Sequence, residues 1–175
     1  AGDSAGANLA TVVTLMARDR GGPEIAHQAL LYPNVDLTDT EYPSKSVDNA
    51  EGYMLEKTDI DWFYSHYLPD PDRASEPYAS PLLAESHAGL PSATVITAGF
   101  DPLRDEGFAY VAALQRSGTP AEHLPYPSLI HGFYSFPAAI GAARDVAAEI
   151  GQRLRALRDR LARETGHDGI VMAYP

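Results

Sequence analysis

A serine framed by glycines, Gly2-Asp3-Ser4-Ala5-Gly6, runs without a break into residues that read as a helix over 5–19. This feature constrains the chain more than any other. A serine at a strand-to-helix junction sits on a strained turn that exposes its Oγ. Glycines on both flanks are expected there, because a Cβ at either position would collide with neighbouring backbone. The small residues Ala5, Gly6, Ala7 and Ala10 allow the helix to pack closely on a sheet. The backbone N–H of Ala5 would point at an oxyanion forming beside the serine. A plainer reading is a Gly-rich turn in which Ser4 merely caps the helix. A phosphate loop of the Walker type is excluded, since no Gly-Lys-Ser/Thr follows.

The rest of the chain alternates strand and helix. Gly21-Gly22-Pro23 ends the first helix, and the apolar run 29–32, stopped by Pro33, reads as a short buried strand. Residues 33–57 are polar and without period. Thr58 or Asp59 then caps a helix with Ile60, Phe63, Tyr64 and Tyr67 on one face. Residues 69–92, rich in Pro, Asp and Ser, read as loop. Residues 93–98 form a buried strand and 103–117 a helix stopped by Gly118. Residues 121–127 form a strand that Pro125 and Pro127 suit to a sheet edge. The last helix carries Ile140, Ala143, Val146, Ala147, Ile150, Leu154, Leu157 and Leu161 at spacings of one, three or four, and Gly166 ends it. Such alternation predicts an α/β fold with a mostly parallel sheet. Three parallel strands make a poor core alone, because such sheets need cover on both faces. Residues 1–166 therefore read as part of one domain, about 40–70 as a possible cap or pocket-lining segment, and 167–175 as a tail.

Composition removes several classes of function. The formal charge is −11, from 24 acids against 13 bases, so a nucleic-acid partner would be repelled. The acidity fits ordinary solubility or adaptation to high salt. With no cysteine, thiol nucleophiles, disulfides and thiolate metal sites are impossible, and a cytoplasmic protein is compatible. The apolar runs are too short to span a bilayer. No HExxH, calcium loop, GxGxxG or His/Asp cluster at metal-ligand spacing is present, so neither cofactor nor metal is expected.

A nucleophilic serine needs a base and an acid that orients the base. Asp101 directly follows the strand ending at Gly99-Phe100, although Asp101-Pro102 also reads as a helix cap with Pro at the first helical position. Asp105 and Glu106 compete for the role. Both fall in the first helical turn, where a carboxylate is ordinarily solvated and matched to the dipole. Of six histidines, His131 follows the last strand, in the loop before the last helix. His27, His66, His87, His123 and His167 precede a strand or lie in a helix, a loop, a strand and the tail. Ser4, Asp101 and His131 stand in the chain order serine, acid, histidine that strand-to-helix serine nucleophiles use.

The stretches Gly2-Asp3-Ser4-Ala5-Gly6-Ala7-Asn8-Leu9-Ala10, Asp101-Pro102-Leu103-Arg104-Asp105-Glu106-Gly107 and His131-Gly132-Phe133 resemble the bacterial hormone-sensitive-lipase family of esterases, within the α/β-hydrolase superfamily. Tyr78-Ala79-Ser80-Pro81-Leu82-Leu83 and residues 62–68 resemble it too. The resemblance runs from residue 1 to about 160, with Ala7 where glycine is usual. It implies an α/β-hydrolase fold, with Ser4 as nucleophile, Asp101 as triad acid, His131 as base and the Ala5 N–H in the oxyanion hole. It implies a small-molecule ester as substrate, and a pocket flanked by residues 53–68, Tyr64 among them, with Phe100 and Phe133. A lactonase or amidase using the same triad, or a non-catalytic ligand receptor on the same fold, are the alternatives. The family's His-Gly-Gly-Gly segment, its earlier strands and its N-terminal cap helices have no counterpart here. The strand leading into the elbow is expected to be missing as well, and the 175 residues alone to be neither a stable domain nor active. Relatives of this type pair through the last strand, so a homodimer through 121–127 is expected.

Overall fold

A computed structural model describes residues 1–165. They fall into two compact units that part after Gly132. In the first unit four parallel strands form one sheet in the order β1-β2-β3-β4. These are β1 (Gly2–Asp3), β2 (His27–Leu31), β3 (Ser92–Phe100) and β4 (Ala121–Ile130). Helices α1 (Ala5–Arg20), α2 (Lys57–Tyr67) and α3 (Arg104–Arg116) connect or flank them.

Each boundary has a local cause. Helix α1 buries Ala7, Thr11 and Leu15 completely, one residue per turn along a single stripe. It ends where Gly21 adopts φ +62° and donates its N–H to the Ala17 and Arg18 carbonyls. Strand β3 is central. Residues 93–98 are all buried, as a strand covered on both faces requires. Leu15, Leu30, Val95, Tyr110 and Leu114 meet in the core and are fully buried. Helix α2 is capped by Glu56, not by Thr58 or Asp59. Asp59 instead reaches back, its Oδ2 accepting from the Glu56 N–H at 3.0 Å. Of its expected apolar face only Ile60 is buried, while Phe63 and Tyr67 are about half exposed. The polar stretch 33–57 is mostly irregular, with one wide helical turn at Ser44–Asp48. Short turns at Pro71–Ser75 and Pro81–Leu83 interrupt the loop before β3.

Two expectations need correction. A strand does precede the elbow: Gly2 and Asp3 pair in parallel with Leu30 and Leu31. The last strand also extends past 127 to Ile130, because a bulge between Ala98 and Phe100 lets β4 run on after Pro125 and Pro127. At that bulge the strands approach so closely that a Cβ on Gly99 would lie 2.0 Å from the Pro127 carbonyl oxygen. Gly99→Ala is therefore expected to destabilise the protein by about 2–3 kcal/mol through forced strand separation, read as a lowered denaturation midpoint at unchanged m-value.

The second unit begins with a turn at Phe133–Ser135 and continues as helix α4 (Gly141–Thr165). Ala143 and Val146 are buried, and Arg153 pairs with Glu149 one turn back at 2.8 Å. The expected stop at Gly166 and the tail 167–175 lie outside the described residues.

Candidate active site

Ser4 stands between β1 and α1. Its N–H bonds the Leu31 carbonyl of β2 at 2.9 Å, and its own carbonyl accepts the first helical bonds from Ala7 and Asn8. The backbone there is held at φ +52°, ψ −122°, a conformation that glycine adopts freely and serine does not. Such a residue costs on the order of 1–3 kcal/mol and persists only where its surroundings impose it. Gly2 is part of that imposition, since a Cβ on it would lie 2.2 Å from the Gly6 carbonyl oxygen. The steric demand falls on Gly2 alone. A Cβ on Gly6 would meet nothing closer than Asp3 Oδ1 at 3.8 Å, contrary to the expectation that both glycines are forced.

The Ser4 hydroxyl does not cap α1. It lies 2.9 Å from His131 Nε2. His131 Nδ1 in turn lies 2.8 Å from Asp101 Oδ2. Asp101 follows the end of β3 and is fully buried, while His131 follows the end of β4 and is 7% exposed. The other oxygen of Asp101, Oδ1, accepts the Leu103 N–H at 2.8 Å, so the carboxylate also shapes the turn into α3. Helix α3 begins only at Arg104, with Leu103 rather than Asp101 in the cap position. Asn49 donates to the Asp101 carbonyl at 3.2 Å. Tyr32 packs its ring against the imidazole, centroids 4.7 Å apart. Parallel strands thus deliver three distant residues to one end of the sheet. Ala5 is the first residue of α1, and its N–H is among those an α-helix leaves without an intrahelical acceptor.

Beside Ser4 opens a cavity of about 560 Å³, walled mainly by Leu9, Leu37, Ile60, Phe63, Tyr64 and Tyr67. Tyr64 is the expected pocket residue that lines it. Phe100 does not. It is 39% exposed and stacks on Tyr53 with ring centroids 4.9 Å apart. Phe133 is buried and belongs to the second unit.

The two carboxylates that competed with Asp101 lie elsewhere. Asp105 pairs with Arg104 at 2.8 Å and accepts the Ser44 N–H at 2.9 Å. Burial works against its ionisation, but Arg104 and Ser44 hold its carboxyl below the usual range. Glu106 is not solvated. It is fully buried and faces Lys45 Nζ at 2.5 Å, with Asn34 Nδ2 and the Val35 N–H also donating to it. First-turn position suggested a surface carboxylate, and tertiary packing overrides it. Lys45, one of two lysines in the chain, is buried as well, at 3% exposure, and its sequence neighbours do not mark it as a core residue. A lysine so rare in this composition, standing in a polar stretch without period, was the available signal.

Among the described residues no group of three or more His, Asp or Glu could hold a metal ion, and no helix is long and apolar enough to cross a membrane.

A family model described as alpha/beta hydrolase fold matches residues 1–135. The chain belongs to the α/β-hydrolase family, in its hormone-sensitive-lipase-like branch. Among relatives of this α/β-hydrolase chain, the carboxylic ester hydrolase LipN of Mycobacterium tuberculosis is 44% identical over 93% of the chain and 43% of LipN. An arylesterase of Saccharolobus solfataricus is 35% identical over 88% of the chain and 49% of that protein. A solved hyperthermophilic esterase from the archaeon Pyrobaculum calidifontis superposes with a TM-score of 0.85 at 39% identity, covering 89% of the chain and 51% of the esterase. The α/β-hydrolase chain thus spans about half the length of the curated relatives it matches.

Proposed function

We propose that the protein carrying this chain is a carboxylic ester hydrolase that works through an acyl-enzyme on Ser4. One observation carries the reading: the hydrogen-bonded series Asp101–His131–Ser4, at 2.8 and 2.9 Å, ending on a serine in strained backbone. Names of relatives, carboxylic ester hydrolase and arylesterase among them, support the reaction class.

His131 Nε2 takes the Ser4 proton as Oγ attacks the ester carbonyl. Asp101 Oδ2 holds the Nδ1 proton, which fixes the tautomer that leaves Nε2 free to accept, and it stabilises the imidazolium. The Ala5 N–H donates to the oxyanion. His131 then protonates the leaving alcohol, and water repeats the sequence on the acyl-enzyme. The apolar cavity beside Ser4 suits a short acyl or alkyl chain. A fluorophosphonate probe on the full-length protein tests the reading. Ser4 should be labelled, and Ser4→Ala should prevent labelling. Labelling at another serine would move the nucleophile.

The reading extends to a homodimer. Strand β4 ends the order of the sheet, and a two-fold partner strand could pair with its outer edge. Light scattering is expected to give twice the protomer mass at micromolar concentration, and a monomer there would refute the pairing.

A further inference from the structure

The cavity beside Ser4 is apolar, yet one of its walls is fixed from behind by charge. Tyr64 lines it, and the Tyr64 hydroxyl accepts a hydrogen bond from Asn34 Nδ2 at 2.7 Å. The same amide donates to Glu106 Oε1 at 2.8 Å, where the Val35 N–H also arrives at 2.7 Å. Lys45 closes the cluster. It lies 2.5 Å from Glu106 Oε2, donates to the Asp36 carbonyl at 3.2 Å and sits over the rings of Tyr42 and Tyr64. From the other side, Asn8 of α1 donates to the Asn34 carbonyl at 2.8 Å. Neither Lys45 nor Glu106 lines the cavity.

Stability alone is a poor reason for this arrangement. Burying two charges costs solvation, and an apolar pair of similar volume often holds a core as well or better. An apolar pair cannot aim an amide. Asn34 has two amide protons, and Glu106 and Tyr64 take one each, so the carboxylate settles which way the amide faces, and the phenol is held between that amide and the Asp36 carbonyl, to which it donates at 3.3 Å. Burial pushes the Glu106 carboxyl up, while Lys45, Asn34 and Val35 pull against that rise. The Tyr64 phenol is pushed up as well, chiefly by burial, so it stays a neutral hydrogen-bonding group.

We propose that the buried Lys45–Glu106 pair is a positioning device for substrate selection, which fixes Asn34 and, through it, the Tyr64 wall of the pocket. The proposal rests on the esterase reading of the same pocket. Its parts touch no reacting atom, so they act on substrate fit rather than on the chemical step.

The test compares Tyr64→Phe, the paired variant Lys45→Met with Glu106→Gln, and the combination of all three in the full-length protein. Four quantities are read: kcat, KM for p-nitrophenyl butyrate, calorimetric affinity for 1-hexanol, and melting temperature. Loss of binding shared by ground and transition states raises KM at constant kcat. Tyr64→Phe is expected to raise KM about fivefold, with kcat within about twofold and hexanol binding weakened in proportion. The paired variant should do the same, and the combination should add nothing further, because all three changes break one series of contacts. Independent effects would instead multiply to about twenty-fivefold, and that result overturns the proposal. So does a Tyr64→Phe protein with wild-type KM and hexanol affinity, or a paired variant that loses melting temperature or kcat alone. If the paired variant does not fold, Asn34→Ala combined with Tyr64→Phe carries the same comparison. Hexanol binding needs no turnover. A wild-type protein that binds hexanol but hydrolyses no ester would refute the esterase reading, and the hexanol data would still decide the positioning role.

Discussion

Replacing Ser4 by alanine is expected to lower kcat for ester hydrolysis by about 10⁴-fold or more while leaving stability nearly unchanged. The substitution removes one oxygen. That oxygen is the atom 2.9 Å from His131 Nε2, and it makes no cap contact with α1. Alanine inherits the same backbone strain, so the folded state neither gains nor loses much. What remains is substrate binding and oxyanion donation, which a triad-less site retains. A purified Ser4→Ala protein keeping a tenth of wild-type kcat would refute the assignment of the nucleophile.

Asp101→Asn is expected to cost about 10⁴ in kcat, and Asp105→Asn no more than a few-fold. An amide at 101 can still accept the Leu103 N–H through its oxygen, so the turn into α3 survives. Its NH2 would then face His131 Nδ1. The imidazole would have to accept there and carry its proton on Nε2, where it meets the Ser4 hydroxyl with nothing free to accept. Asp105 contributes a partly buried ion pair with Arg104 and a contact to the buried Ser44, neither of which reaches His131. Steady-state kinetics on both variants decides the matter. If the Asp105 protein is the slower of the two, the carboxylates have been assigned the wrong way round.

Much of this arrangement is legible in the sequence, and the reason is local. Small residues and a glycine pair mark the ends of α1, and an unbroken apolar run marks β3, so their positions follow from rules that act within a few residues. The meeting of Ser4, Asp101 and His131 follows from topology, because parallel strands place all their C-terminal ends at one end of the sheet. What escaped is what depends on partners distant in sequence. Glu106 reads as solvated because its position in α3 is solvated in most helices, and its burial is explained by Lys45, Asn34 and Val35, all contributed by the stretch without period. The family resemblance puts Phe100 beside the pocket, yet past the bulge at Gly99 its ring stacks on Tyr53. The two-residue β1 was missed because no pattern can show in two residues; its pairing with Leu30 and Leu31 makes it a strand.

On the proposed reading, stability and turnover make opposite demands on the residue at position 4. The left-handed backbone there suits glycine, so the most relaxed residue at this position is one that has no hydroxyl to offer. A lineage released from the need to hydrolyse anything could shed the strain in a single codon change and become sturdier for it. A serine on such a turn thus costs the fold on the order of 1–3 kcal/mol, and a glycine there would remove both that cost and the hydroxyl.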